Sequence, residues 1–263
     1  MPRWARRNPA APTGDAAFDM ERRCCAIKQR IELLDAWRTL AIFCMLVYHF
    51  LYDLAVFGVL PWGRFYTTPL NLLQQFICWS FILLAGLSAR LTRSNLRRGV
   101  ITLLAGALVM AGSALAGLPI LFGILQCLGC SMLLYGLGQK VFDRLHPAMG
   151  LLWFAMFWLT RYLTDLGYVE SGWLFPLGFI REDFYSADYF GLLPWFFLFL
   201  TGSSLGTWLR NTLDAAASAG RPGPGWTTLR IPALLTWPGR HSLIIYLLHQ
   251  PVLYGLAWLL FGR

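Results

Sequence analysis

At 263 residues, 57% hydrophobic, 16% aromatic and only 13% charged, the chain is far from the roughly one-quarter charged composition of soluble domains and has that of an integral membrane protein. The formal charge of +9 does not point to nucleic acid, because the basic residues cluster at the ends of apolar runs, where they set membrane orientation.

Residues 1–30 carry Pro, Ala and Arg without a continuous apolar core and read as a disordered cytosolic tail, not a secretory signal peptide. Residues 31–263 follow as one membrane domain. Cys24 and Cys25 lie in the tail, while Cys44, Cys78, Cys127 and Cys130 fall in apolar runs where a small hydrophobe serves packing, so no disulfide framework is expected. The CLGC stretch at 127–130 has redox spacing, but inside an apolar helix it reads as packing.

A membrane-crossing helix needs about 20 mostly apolar residues. That length predicts an all-α, polytopic transmembrane helix bundle of about seven spans: 38–60, 70–90, 99–117, 118–138, 148–165, 189–209 and 241–262. Just before the first span, LLDAWR places Asp35 and Arg38 at i and i+3, close enough to pair and anchor the helix at the interface. Mid-span, MLVYHFLYD places His49 and, one turn later on the same face, Asp53. Ionisable groups are costly in hydrocarbon, so this pair is a functional candidate in which the carboxylate would orient the imidazole.

Arg90, Arg93, Arg97 and Arg98 follow the second span, and the third and fourth meet at AGLP as a tight hairpin. Gln126 lies in the fourth span, Asp188 precedes the sixth, and Arg240 opens the seventh, which carries His249 and Gln250. His49 and His249 fall at one depth of helices that start from the same face. With the N-terminus inside, most Lys and Arg residues sit in inner segments, so the predicted orientation is N-terminus inside and C-terminus outside. Arginine forks at the inner mouth suit phosphate oxygens.

The stretches IELLDAWRTLAIFCMLVYHFLYDL at 31–54, FILLAGLSARL at 81–91, ILFGILQCLGCSMLL at 120–134, SADYFGLLPWFFLFLTGSSLG at 186–206 and WPGRHSLIIYLLHQPVL at 237–253 resemble the bacterial branch of the heparan-alpha-glucosaminide N-acetyltransferase catalytic-domain family. The first stretch is also similar to the wider acyltransferase-3 membrane family, in which an aspartate, an arginine three residues on and a deep histidine recur, here Asp35, Arg38 and His49. The chain departs from the lysosomal members' pattern in having no histidine in 57–70 and a histidine, not asparagine, at position 49.

The resemblance implies an acyltransferase of the bacterial inner membrane, surrounded by lipid, moving an acetyl or other acyl group from acyl-CoA to an amine or hydroxyl of an envelope carbohydrate, with no metal. His49 is then the expected base, with Asp53 and His249 beside it. Arg38, Arg90, Arg93, Arg97, Arg98 and Arg240 are candidates for the CoA phosphates, Gln126, Asp188 and Gln250 for the acceptor path, and Asp35 for a structural ion pair. Two other classes fit a pair of midplane histidines: a proton-coupled exporter, and a haem protein with His49 and His249 as axial ligands. Retinal chemistry needs a lysine in a span, and Lys28 and Lys140 lie outside them.

Overall fold

The computed structural model describes residues 31–262; the predicted tail, with Cys24 and Cys25, lies outside the described residues. Eight helices dominate: α1 Glu32–Val56, α2 Thr68–Leu91, α3 Asn95–Leu115, α4 Ile124–Leu137, α5 Met149–Thr164, α6 Leu192–Ser218, α7 Ala233–Arg240 and α8 Ser242–Phe261. No strand occurs among the described residues. Each predicted span overlies one helix, but among the described residues α1, α2, α3, α6 and α8 combine the length and apolarity to cross a membrane, so five helices there, and not seven, meet that requirement.

The shortfall lies in α4 and α5, which have 14 and 16 residues. At about 1.5 Å per residue they fall short of a hydrocarbon layer of about 30 Å. The expected tight hairpin between the third and fourth spans is also replaced. Residues 118–123 are as apolar as a helix but run irregularly, with Gly117 at φ 73° and Phe122 at φ 57°. Their backbone groups are satisfied from outside: Ala187 N donates to the Pro119 carbonyl at 3.0 Å, Phe190 N to the Phe122 carbonyl at 2.9 Å and Leu121 N to Ser186 Oγ at 2.9 Å. A segment hydrogen-bonded to the returning chain has no need to be helical.

The centre of the bundle is α6, with 61% of its apolar window buried against 11% for α8. Side chains of α2, α4, α5 and α6, among them Ile82, Tyr135, Phe157, Leu198 and Phe199, form the main core. Helices α2 and α6 approach so closely that a Cβ on Gly86 would strike the Phe199 carbonyl, and one on Gly202 the Leu83 carbonyl. Small residues at such crossings let backbones touch where no hydrophobic drive between helices exists. Helix α1 packs on α2 along one side and on α7 and α8 along another, which places the first and last predicted spans side by side.

Candidate active site

On α1, with about 3.6 residues per turn, Asp35, Arg38, Ile42, Met45, His49 and Asp53 recur at intervals of three or four and fall on one face. That stripe meets α7 and α8. Arg240, at the end of α7, lies near Asp35, and along α8 His249 lies near His49 and Gln250 near Asp53, so α8 runs parallel to α1.

The two imidazoles meet edge to face with centroids 4.7 Å apart. The Nδ1 of His49 lies 3.0 Å from the Met45 carbonyl, and that of His249 2.5 Å from the Tyr246 carbonyl. A carbonyl oxygen only accepts, so each Nδ1 carries the proton and each Nε2 is left with a free lone pair. The Nε2 of His249 is buried with no partner, and so are Asp53 Oδ2 and Gln250 Oε1. Three unsatisfied buried polar atoms around the histidine pair are unusual, since buried polar groups are nearly always hydrogen-bonded.

Asp53 is completely buried, and its Oδ1 accepts from Gln250 Nε2 at 2.8 Å. It does not hold His49, as the i, i+4 spacing had suggested. The His49 Nδ1 is taken up by the Met45 carbonyl one turn back, and the Asp53 carboxylate by Gln250 of the neighbouring helix. The carboxylate instead clasps α8.

The six arginines separate. Arg38 Nη1 pairs with Asp35 Oδ1 at 2.7 Å and its Nη2 donates to Ser88 Oγ; Arg240 Nε reaches Asp35 Oδ2 at 3.4 Å. Arg98 lies within electrostatic reach of Arg38, so these three gather at one end of α1, hereafter the basic end. Arg90 turns inward, donating from Nε to Thr207 Oγ1 at 3.0 Å and from Nη2 to the Asp143 carbonyl at 3.2 Å, with Nη1 3.1 Å from Asp143 Oδ1. Tyr135 Oη donates to the same Asp143 oxygen at 2.9 Å. Arg93 and Arg97 are exposed on the surface.

Gln126 Nε2 donates to the Gly106 carbonyl at 2.9 Å and ties α4 to α3. Asp188, half-buried, accepts from the Ile124 backbone at the start of α4 at 3.4 Å; burial pushes its carboxyl up to about 6. The same carboxylate is within electrostatic reach of Tyr48, Cys78 and Tyr246. The carbonyls of Met45 and Tyr246, which fix both tautomers, carry no side-chain signal in the sequence.

Residues 30–251 match the model of the family described as "Heparan-alpha-glucosaminide N-acetyltransferase, catalytic". The chain belongs to this family. Membership carries acetyltransferase activity and, with the apolar helices, a place in a membrane; the matched residues include both histidines, Asp53, Gln250 and all six arginines. No curated protein and no solved structure matches the chain. Among the described residues no group of three or more His, Cys, Asp or Glu side chains converges to hold a metal ion.

Proposed function

We propose that the protein takes an acyl group from acyl-CoA at the basic end of the bundle, lying in the bacterial cytosol, and passes it to an amine or hydroxyl of an envelope carbohydrate reached from the other end. The observation that carries this reading is the contact between His49 and His249, each with a free Nε2, next to the unpaired buried polar atoms of Asp53 and Gln250.

Arg38 and His49 share one helix face eleven residues apart, about 16 Å at ~1.5 Å per residue, a distance that the pantetheine arm of CoA can bridge. Arg38, Arg98 and Arg240 would hold phosphates there, with Asp35 keeping the first and last of them in place. The acceptor nitrogen or oxygen attacks the thioester carbonyl carbon while His49 Nε2 removes its proton. Collapse of the tetrahedral intermediate breaks the carbon–sulfur bond. The imidazolium returns the proton to the CoA thiolate, leaving an amide or ester and free CoA-SH.

His249 cannot polarise the thioester carbonyl in the tautomer its Tyr246 contact imposes, because its Nε2 has no proton to offer. Its role is to accept a hydrogen bond from the acceptor and hold it beside His49. Asp53 and Gln250 position α8 for that contact. Arg90, Gln126 and the backbone contact of Asp188 support the framework, while Arg93 and Arg97 set topology at the surface.

The haem alternative fails on geometry: two axial imidazoles must leave the porphyrin and iron between them, and rings touching edge to face at 4.7 Å leave no such gap. The exporter alternative needs a pH-gradient-driven flux without CoA. Incubating the purified protein with labelled acetyl-CoA and sugar acceptors is the direct test. His49→Ala is expected to lower transfer by about 10²–10⁴-fold while the protein still inserts and folds. Full retained transfer would remove the base assignment.

A further inference from the structure

At the end of α1 opposite the arginines, the chain folds back through a helical turn, Trp62–Phe65, before α2 begins. Phe65, 3% exposed, seals the turn under Tyr48 and Tyr52, with centroids at 5.3 and 5.6 Å. On its outer side Trp62 stacks on Tyr66 at 5.7 Å and 21°, and meets the Tyr52 ring edge-on at 5.7 Å. Trp62 is 42% exposed, Tyr66 67% and Tyr185, from the returning loop, 61%.

These rings share one neighbourhood. Tyr48, Tyr52 and Tyr66 lie within electrostatic reach of one another, Tyr185 is within reach of Tyr52, and the Asp188 carboxylate is within reach of Tyr48. None of the four tyrosine hydroxyls is taken up by a hydrogen bond to another described residue. Below them, the Tyr48 ring touches His49 at 5.6 Å. A girdle of interfacial aromatics spreads around the perimeter of a bundle and faces lipid headgroups. Here the rings gather on one side and lead to the imidazole.

Resting on the acyltransferase reading above, we infer that Tyr48, Tyr52, Trp62, Tyr66 and Tyr185 form a saccharide-binding mouth that delivers the acceptor sugar to His49. A pyranose ring has an apolar C–H face suited to an aromatic platform and an equator of hydroxyls that need donors and acceptors, and tyrosine supplies both. An amino group on the sugar would also be favoured over the ring faces of Trp62 and Tyr66.

The test is calorimetric titration of the protein in lipid nanodiscs with a glucosamine-bearing disaccharide and, separately, with acetyl-CoA. Trp62→Ala removes the platform, and the double variant Tyr66→Phe with Tyr185→Phe keeps both rings but removes their hydroxyls, so it guards against a folding defect. Each is expected to weaken disaccharide binding about tenfold, to leave acetyl-CoA binding unchanged, and to do so equally in a His49→Ala background. Disaccharide binding unaltered by both variants would overturn the mouth and return these rings to a lipid-facing belt; so would a protein that binds no disaccharide. If labelled transfer still proceeds and still depends on His49 in either case, the mouth falls while the acyltransferase reading stands.

Discussion

A histidine in a membrane bundle can act as a base only if its free nitrogen meets a reactant instead of hydrocarbon. Both Nδ1 atoms here are given to carbonyls of their own helices, Met45 and Tyr246, so the chemistry is left to Nε2 in each ring. The arginines show the converse: with its guanidinium shared between Asp143 and Thr207, Arg90 has little left to offer a phosphate. Arg90→Ala is therefore expected to lower stability by about 3 kcal/mol, as a broken buried ion pair does, with the apparent KM for acyl-CoA unchanged. Arg98→Ala, which breaks no described ion pair, should do the opposite, raising that KM about tenfold at nearly normal thermal stability. Thermal unfolding and steady-state kinetics on the two proteins decide it; the reverse pattern would move the donor site to Arg90. The sequence displayed the depth shared by His49 and His249, because helix starts and rise per residue fix depth. It did not display where Asp53, Arg90 or Asp188 turn, because that depends on Gln250, Asp143 and the α4 backbone, brought alongside only by tertiary packing.

Helix α8 carries half of the histidine pair yet is the least embedded of the long helices. Two polar contacts to α1 fix its register: Gln250 to Asp53 beside the histidines and, just before its first turn, Arg240 at the end of α7 to Asp35. Gln250→Leu leaves the buried Asp53 carboxylate without its donor and is expected to cost about 1–3 kcal/mol along with most of kcat. The double variant Asp53→Leu with Gln250→Leu should recover much of that stability, since both polar groups are gone, but not the activity, since α8 is no longer held in register. Thermal unfolding of wild type, single and double variants measures this; a double variant no more stable than the single would show that the clasp is not made. At this scale the sequence was informative where apolar runs were helical and misleading at 118–123. Hydrophobicity reports burial, not conformation, and here the hydrogen-bond partners come from residues 186–190 far along the chain.

As a whole the bundle presents two unlike ends, with Arg38, Arg98 and Arg240 around Asp35 at one and exposed Trp62, Tyr66 and Tyr185 at the other. The histidine pair lies between them, His49 on the polar stripe of α1 and His249 on α8. Such an arrangement is of use if the thioester and the acceptor approach from opposite sides. The basic end is legible in the sequence as a cluster of arginines at helix termini, whereas the aromatic end draws on α1, the turn at 62–65 and the loop at 185–188, which only the fold assembles. The most direct measurement of the central claim uses proteoliposomes with labelled acetyl-CoA confined to the side of the basic end and a glucosamine-bearing acceptor confined to the other. Label should appear on the acceptor with wild-type protein and not with His49→Ala; label transferred equally by both proteins, or only when donor and acceptor share one side, would contradict a histidine centre open to both faces.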